Sequence, residues 1–570
     1  MDLKRLIAVA RGDLPADLLL QNARVVNTFT GEVEEGHVAI AQGRIAGIGD
    51  YTQARQKEDL QGRHLAPGLI NGHFHLESSY LHVDQYARAV VPHGTLAAVT
   101  DLHEVTNVCG LPGMRYVMDC ARRVPVDLFF MAPSCVPATD LETSGARLGP
   151  AEIRAALRWR RVLGLGEMMN FPGVIHGDDE AVHKLRAVGQ RPKDGHAPGV
   201  RGRDLNAYMA GLIGSDHEST RYAEGQEKLR RGMRLMIREG SSEKNLEELL
   251  PLVNAGNYHR CLLVTDDRNA LDLLRDGDVD AVVRKAIRLG LGPVRAVQMA
   301  SLNVAEYFHL EGLGAIGPGY WANLLVLSDL QEFTIEAVYY RGRLVAHQGQ
   351  ALFNPRLPDS PALRSTVHLK PFTFRDLALP SAQDDSVPVI EVIPGQIVTR
   401  WRKETVHHTN GTIVPDLARD LLKLVVVERH RASGNIGKGL VKGFGLRRGA
   451  LATSVAHDSH NIVAVGASDE EIYVAVKEVE RNQGGLAVAA GGHILAALPL
   501  PIAGLLSPES LETVAERMEE LEACARKLGC SVPSPFSLLS FLALPVIPEL
   551  KLTDRGLVDV VQGKLLNLGG

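Results

Sequence analysis

Six cysteines in 570 residues are too few and too scattered to organise a fold. Cys109, Cys120, Cys135, Cys261, Cys524 and Cys530 form no C-x-x-C pair, which argues against a zinc site built from thiolates. They read as reduced, mostly buried thiols of a cytosolic protein. An excess of one charge is also missing. The chain has 62 Lys+Arg against 67 Asp+Glu, a formal net charge of −5, which leaves no basic face of the kind a nucleic-acid backbone requires. Long hydrophobic runs are absent too. Met1-Asp2-Leu3-Lys4-Arg5 has no apolar signal core. The stretch from Gly485 to Leu506 comes nearest to a membrane span. Gly491, Gly492, His493, Pro499 and Pro501 interrupt it, so a buried core segment is expected. Gly434-to-Gly439 superficially suggests a phosphate loop but lacks G-x-x-x-x-G-K-[ST]. The H-x-E…P-C-x-x-C signature of the single-zinc nucleobase deaminases is absent as well.

What remains is a soluble globular composition, 45% hydrophobic and 23% charged, long enough for more than one domain. Asp17–Asn27, His37–Ala41 and Arg44–Ile48 alternate as strands do, with Gln42-Gly43 suited to a hairpin turn. The same style returns at Ala322–Leu327 and Glu336–Val345, as if one small β-sandwich domain (1–62 and 312–355) were built from both flanks of an insertion. Between the flanks, apolar runs alternate with helix-like stretches: Leu96–Asp101, Val126–Ala132, Val162–Glu167, Arg234–Arg238 and Cys261–Asp266. Repeated β-then-α over residues 63–311 predicts a (β/α)₈ TIM-like barrel, α/β in class, with its chemistry at the C-terminal strand ends. Residues 356–389, rich in Pro, Ser and Asp, read as a linker. Residues 390–570 read as a C-terminal α/β or α+β domain, with strands at Leu421–Val427 and His460–Val465 and a helix capped by Ser510.

His73-Phe74-His75 carries the most chemistry. In a strand, residues i and i+2 share a face, so the two imidazoles can converge on one point. Glu167 follows an apolar run, where an unpaired charge is costly to bury. His196, His217 and Asp266 each sit near the end of a predicted unit. Four imidazoles and two carboxylates suffice for two divalent metals about 3.5–4 Å apart. Alone, each has a bland reading as well. His196 and His217 could be solvated, and Asp266-Asp267 could be a turn with one Asp capping a helix. His103-Glu104 could simply begin a helix. His457 and His460 could pair with Asp458 structurally, and His407-His408 and Glu428-Arg429-His430 could lie on a solvated or interdomain face.

Five motifs from Pro67-to-Ser79, Asp101-to-Val108, Asp194-to-Gly199, Ser215-to-Glu218 and Thr265-to-Arg268 together resemble the adenine deaminase family of the amidohydrolase superfamily. Gly434-to-Gly439 and Ser454-to-Asn461 extend the resemblance into the C-terminal part, over nearly the whole chain. The resemblance implies that His73, His75, Glu167, His196, His217 and Asp266 are metal ligands. Many relatives bridge their metals with a carboxylated lysine. Residues 162–170 contain none, so Glu167 takes that place. The implied cofactors are two divalent ions, Mn or Fe, with Zn also compatible. The implied reaction is attack of metal-bound hydroxide on C6 of adenine, giving hypoxanthine and ammonia, as in purine salvage. Asp266 shuttles protons, and Glu77, His103, Glu104 and Asp267, with His457 and His460 from the C-terminal part, contact substrate or relay protons. Another cyclic amidine or amide, such as a modified purine, stays open as substrate. The resemblance also implies a cytoplasmic enzyme, dimeric or larger, acting on a small-molecule base without nucleic-acid or membrane partners.

Overall fold

The structure is a computed structural model describing residues 2–381, 386–393 and 396–566. The two flanks do meet. Five strands between Ala16 and Pro67 and four between Leu324 and Ala351 form one nine-stranded sheet. His64–Pro67 runs antiparallel to Leu324–Leu327 and stitches the halves together. Leu18, Leu20, Val25, Val38 and Ile40 share a core with Leu324, Val326 and Tyr339. The Gln42-Gly43 turn has both φ angles positive, 54° and 77°, the backbone a two-residue hairpin needs. The chain changes sheets at Gly68.

Eight parallel strands follow: β1 (Leu69–Phe74), β2 (Thr95–Asp101), β3 (Asp127–Ala132), β4 (Val162–Met168), β5 (Lys193–Gly195), β6 (Ser215–Asp216), β7 (Arg234–Arg238) and β8 (Cys261–Val264). Strands β1 to β5 form one sheet in sequential order and β6 to β8 another. The seams are narrow. Gly214 N donates to Lys193 O at 3.0 Å on one side, and Asp266 N donates to His73 O at 3.0 Å on the other. Alternation sorts the side chains. Ile70, Ala97, Val99, Met131, Met236, Leu262 and Val264 join one cluster, whereas their neighbours Leu69, Leu96, Ala98, Phe130, Leu235 and Leu263 pack outward against the helices.

The C-terminal part is α+β. Its eight-stranded sheet carries the helices Asp469–Arg481 and Leu511–Lys527. Ser510 caps the latter, accepting from Thr513 N. The apolar stretch after Gly485 is a hairpin, Gly485–Ala490 and His493–Pro499, paired antiparallel. No helix among the described residues is long and apolar enough to cross a membrane. The extended segment expected through residue 389 gives way at Ser386 to a strand of this sheet, Ser386–Val392.

Candidate metal centre

Phe74 separates the two histidines and points away from them, its ring stacked on Tyr86 at 4.9 Å. His73 and His75 therefore face the same side, ring centroids 5.0 Å apart. Glu167 comes from the end of β4, and His196, His217 and Asp266 from just beyond β5, β6 and β8. The structure brings all six sequence-predicted ligands to one place. Glu167 Oε1 lies 3.3 Å from His75 Nε2. Its Oε2 lies 2.6 Å from His196 Nδ1 and 3.3 Å from His217 Nε2. Asp266 Oδ1 lies 3.4 Å from His73 Nε2 and 3.2 Å from His75 Nε2. Glu167 thus presents one oxygen to each of two groups of imidazoles, the disposition of a bridging carboxylate.

The donor set fits metal ions. One ligand atom from each of His73, His75 and Asp266 lies within 4.8 Å of the others, and the same holds for His73, Glu167 and His217. His73 Nε2 is buried beside Asp266 without a hydrogen bond. Such an atom is costly unless a cation answers it. His75 Nδ1 meets the Asp101 carbonyl at 3.2 Å, leaving Nε2 for the site. Burial raises both carboxylates, but the neighbouring imidazoles of His196 and His217 hold Glu167 well below the usual range, and those of His73 and His75 do so for Asp266. Both are anions ready to ligate.

Three residues take supporting roles that the sequence does not assign to them. Arg238, buried at the end of β7, donates to Asp266 Oδ2 at 2.7 Å and pairs with Glu218. The signal was present: like Glu167, it is a charge closing an apolar run. Asp101 Oδ2 accepts from Glu167 N at 2.9 Å and so fixes the backbone that carries the Glu167 carboxylate. Burial first, and then Glu167's charge against the pull of His103, leave Asp101 at about 6. Gly166 makes that approach possible, since a Cβ there would sit 1.9 Å from Asp101 Oδ2. Asp458 faces His103 at 3.6 Å.

The remaining expected residues form a second ring. His103 Nδ1 lies 3.5 Å from Glu167 Oε1. His103 and Glu104 also begin the helix His103–Ala121, so the two readings of that pair coexist. Glu104 Oε1 lies 2.6 Å from His457 Nδ1. Against burial, that pairing lifts His457 to about 9. Glu77 accepts from Val105 N at 3.0 Å, and burial with the charge of Glu104 pushes it to about 7. Asp267 accepts from Ser78 Oγ. It caps nothing, because Asn269 caps the following helix. Asp267 and His457 line a cavity with Ser78, Tyr80, Phe536 and Phe541. The His457 ring stacks on Phe541 at 4.5 Å. His460 is buried behind His457, ring centroids 5.9 Å apart, and does not line that cavity.

Glu428 and Arg429 are not solvated. Arg429 is fully buried, holding the carbonyls of His460 and Ala503, and His430 Nε2 meets the Ser459 carbonyl at 2.6 Å. This cluster fastens the segment that carries His457. His407 and His408 are exposed.

Residues 64–345 match the amidohydrolase family, and residues 396–564 match the adenine deaminase C-terminal domain. The chain is 56% identical over 565 residues to an adenine deaminase of Dehalococcoides mccartyi, covering 99% of each. It is 48% identical over 559 residues to adenine deaminase 2 of Carboxydothermus hydrogenoformans, covering 98% of each. It is 46% identical over 565 residues to an adenine deaminase of Methanothrix thermoacetophila, again covering 98% of each.

Proposed function

The chain belongs to the adenine deaminase family of amidohydrolases, and from that premise we propose that it hydrolyses adenine to hypoxanthine and ammonia at the strand-end cluster. The observation that carries the reading is the convergence of His73, His75, Glu167, His196, His217 and Asp266 beside a cavity lined by Asp267 and His457. In this reading β1 to β8 act as one (β/α)₈ barrel spanning residues 69–311. Residues 1–67 and 312–355 are its β-sandwich flank, 356–385 its linker, and the segment from Ser386 onward the domain that covers the site.

The six residues would hold two divalent cations, manganese or iron, with zinc also compatible with imidazole and carboxylate donors. When bound, such a pair supplies an activated hydroxide near neutral pH and neutralises developing charge on an oxygen. Asp266 sits where the attacking oxygen must lose its proton. It accepts that proton and returns it to the exocyclic nitrogen, which leaves C6 as ammonia while the C6–O bond remains. Arg238 keeps Asp266 ionised and fixed. On the cavity wall, His457 is held protonated by Glu104 and donates toward a ring nitrogen, and Asp267 accepts from a ring N–H. Glu77 and His103 stand behind these groups and steady their charge. His460 supports His457 without touching the base.

Metal-replete protein is expected to release ammonia from adenine in preference to adenosine or modified purines. Metal-replete protein that leaves adenine intact overturns the substrate assignment. Glu167→Gln is expected to lose one or both metals and with them turnover. Full metal content and full activity in that variant would reject the bridging role. We place the enzyme in the cytoplasm as a homodimer or larger assembly.

A further inference from the structure

His103 looks two ways. Its Nδ1 faces Glu167 at 3.5 Å, and its Nε2 faces Asp458 Oδ1 at 3.6 Å, away from the six ligands above. On that far side stands Cys135. One ligand atom each of His103, Cys135 and Asp458 lies within 4.8 Å of the others, and all three side chains are buried. They come from three elements: the helix after β2, the loop after β3, and the C-terminal segment 454–461.

The group is not satisfied as it stands. Asp458 is 1% exposed, and its Oδ2 has no hydrogen-bond partner. Asp101 Oδ1 and His103 Nδ1 nearby are also unpaired. One imidazole is thus set among the carboxylates of Asp101, Glu167 and Asp458. A buried carboxylate oxygen left without a donor is expensive, and a cation answers it best. Thiolate, imidazole and carboxylate together match zinc, in three-ligand sites that leave a position open. Manganese prefers oxygen donors and is poorly served by sulfur.

We propose that His103, Cys135 and Asp458 form a third metal site, selective for a soft divalent ion such as zinc, which ties the C-terminal segment to the central strands. Binding converts the Cys135 thiol to a metal thiolate and releases its proton to solvent. The ion does not replace those of the catalytic pair. It locks the position of Asp458 and hence of its neighbour His457 on the cavity wall. The proposal goes beyond the deaminase reading and fails independently of it.

The test uses full-length protein stripped of metal and titrated with cobalt(II) as an optical stand-in for zinc. Thiolate-to-cobalt charge-transfer absorption in the near ultraviolet is expected as the last equivalent binds. Cys135→Ser should abolish that band and bind one equivalent fewer of cobalt or zinc, while binding as much manganese as wild type and deaminating adenine in the manganese form. Asp458→Asn should weaken the same equivalent. A wild-type protein saturated with cobalt that shows no thiolate band overturns the site, even if Cys135→Ser fails to fold. Equal cobalt stoichiometry in wild type and a folded Cys135→Ser does so too. Failure of the manganese form to act on adenine counts against the deaminase reading and leaves the thiolate band to decide this one.

Discussion

Lys551 lies on the strand Leu550–Thr553 with its ammonium nitrogen 2.8 Å from the Ile397 carbonyl and no carboxylate beside it among the described residues. Lys228 is its opposite, equally buried but 2.8 Å from both Asp216 and Glu224. The difference shows in their charge states. The two carboxylates overcome burial and raise Lys228, whereas burial alone brings Lys551 down to about 7. The folded protein therefore favours neutral Lys551, while the unfolded chain keeps it protonated up to about 10.4. Between those values the unfolded state binds one more proton, so the contribution of Lys551 to stability rises with pH by about 1.4 kcal/mol per unit. Lowering the pH from 10 to 7 should destabilise wild type relative to Lys551→Met, and the gap should level off below about 7. Thermal midpoints of the two proteins across that range measure it. A constant gap means that Lys551 stays charged when folded.

At the scale of the element, β4 shows how a strand is fitted to a site. Its glycines alternate with Leu163, Leu165 and Glu167. A Cβ on Gly164 would sit 1.9 Å from the Pro192 carbonyl, and one on Gly166 would sit 1.9 Å from Asp101 Oδ2. The glycine face lets Asp101 reach the backbone N–H of Glu167. Gly166→Ala must push that carboxylate away or tilt Glu167, so metal affinity is expected to fall about 10–100-fold, the usual cost of disturbing a ligand's support. Gly292→Ala, at a φ of −58° with open space around the position, should leave it unchanged. Chelator competition measures both, and equal affinities would show that Asp101 does not orient the bridge. Such support was invisible in the sequence, although the ligand itself was not. Glu167 and Arg238 each end an apolar run, but only the glutamate carried a resemblance that drew attention to it. The longer strands were legible because their apolar runs are continuous: the expected limits Arg234–Arg238 and Leu421–Val427 are the ones found. Lys193–Gly195 and Ser215–Asp216 have three and two residues, too few for any period to register, so only the histidines after them marked the place.

At the scale of the whole molecule, the cavity wall depends on contacts between residues hundreds of positions apart, for which no local pattern exists. The loop 142–144, beyond β3, is gripped from the C-terminal part. Asp554 Oδ1 accepts from Thr143 N at 2.8 Å, and its Oδ2 accepts from Thr143 Oγ1 at 2.6 Å and Asn435 Nδ2 at 3.2 Å. Asn461 Nδ2 donates to Thr143 O at 2.9 Å, and Ser459 Oγ donates to Glu142 at 2.5 Å. Ser459 and Asn461 belong to the segment that carries His457, so this grip sets where His457 stands. Asp554→Ala removes two buried hydrogen bonds and one part-buried one and strands the Thr143 donors, a cost on the order of 2–4 kcal/mol. None of the six candidate ligands takes part in these contacts. The expected result is a lower thermal midpoint and a KM for adenine raised about tenfold, with bound manganese unchanged. Loss of manganese along with KM would mean instead that the junction holds the metal cage itself. An unaltered KM would mean that His457 is placed independently of the clamp on Thr143, which then serves stability only.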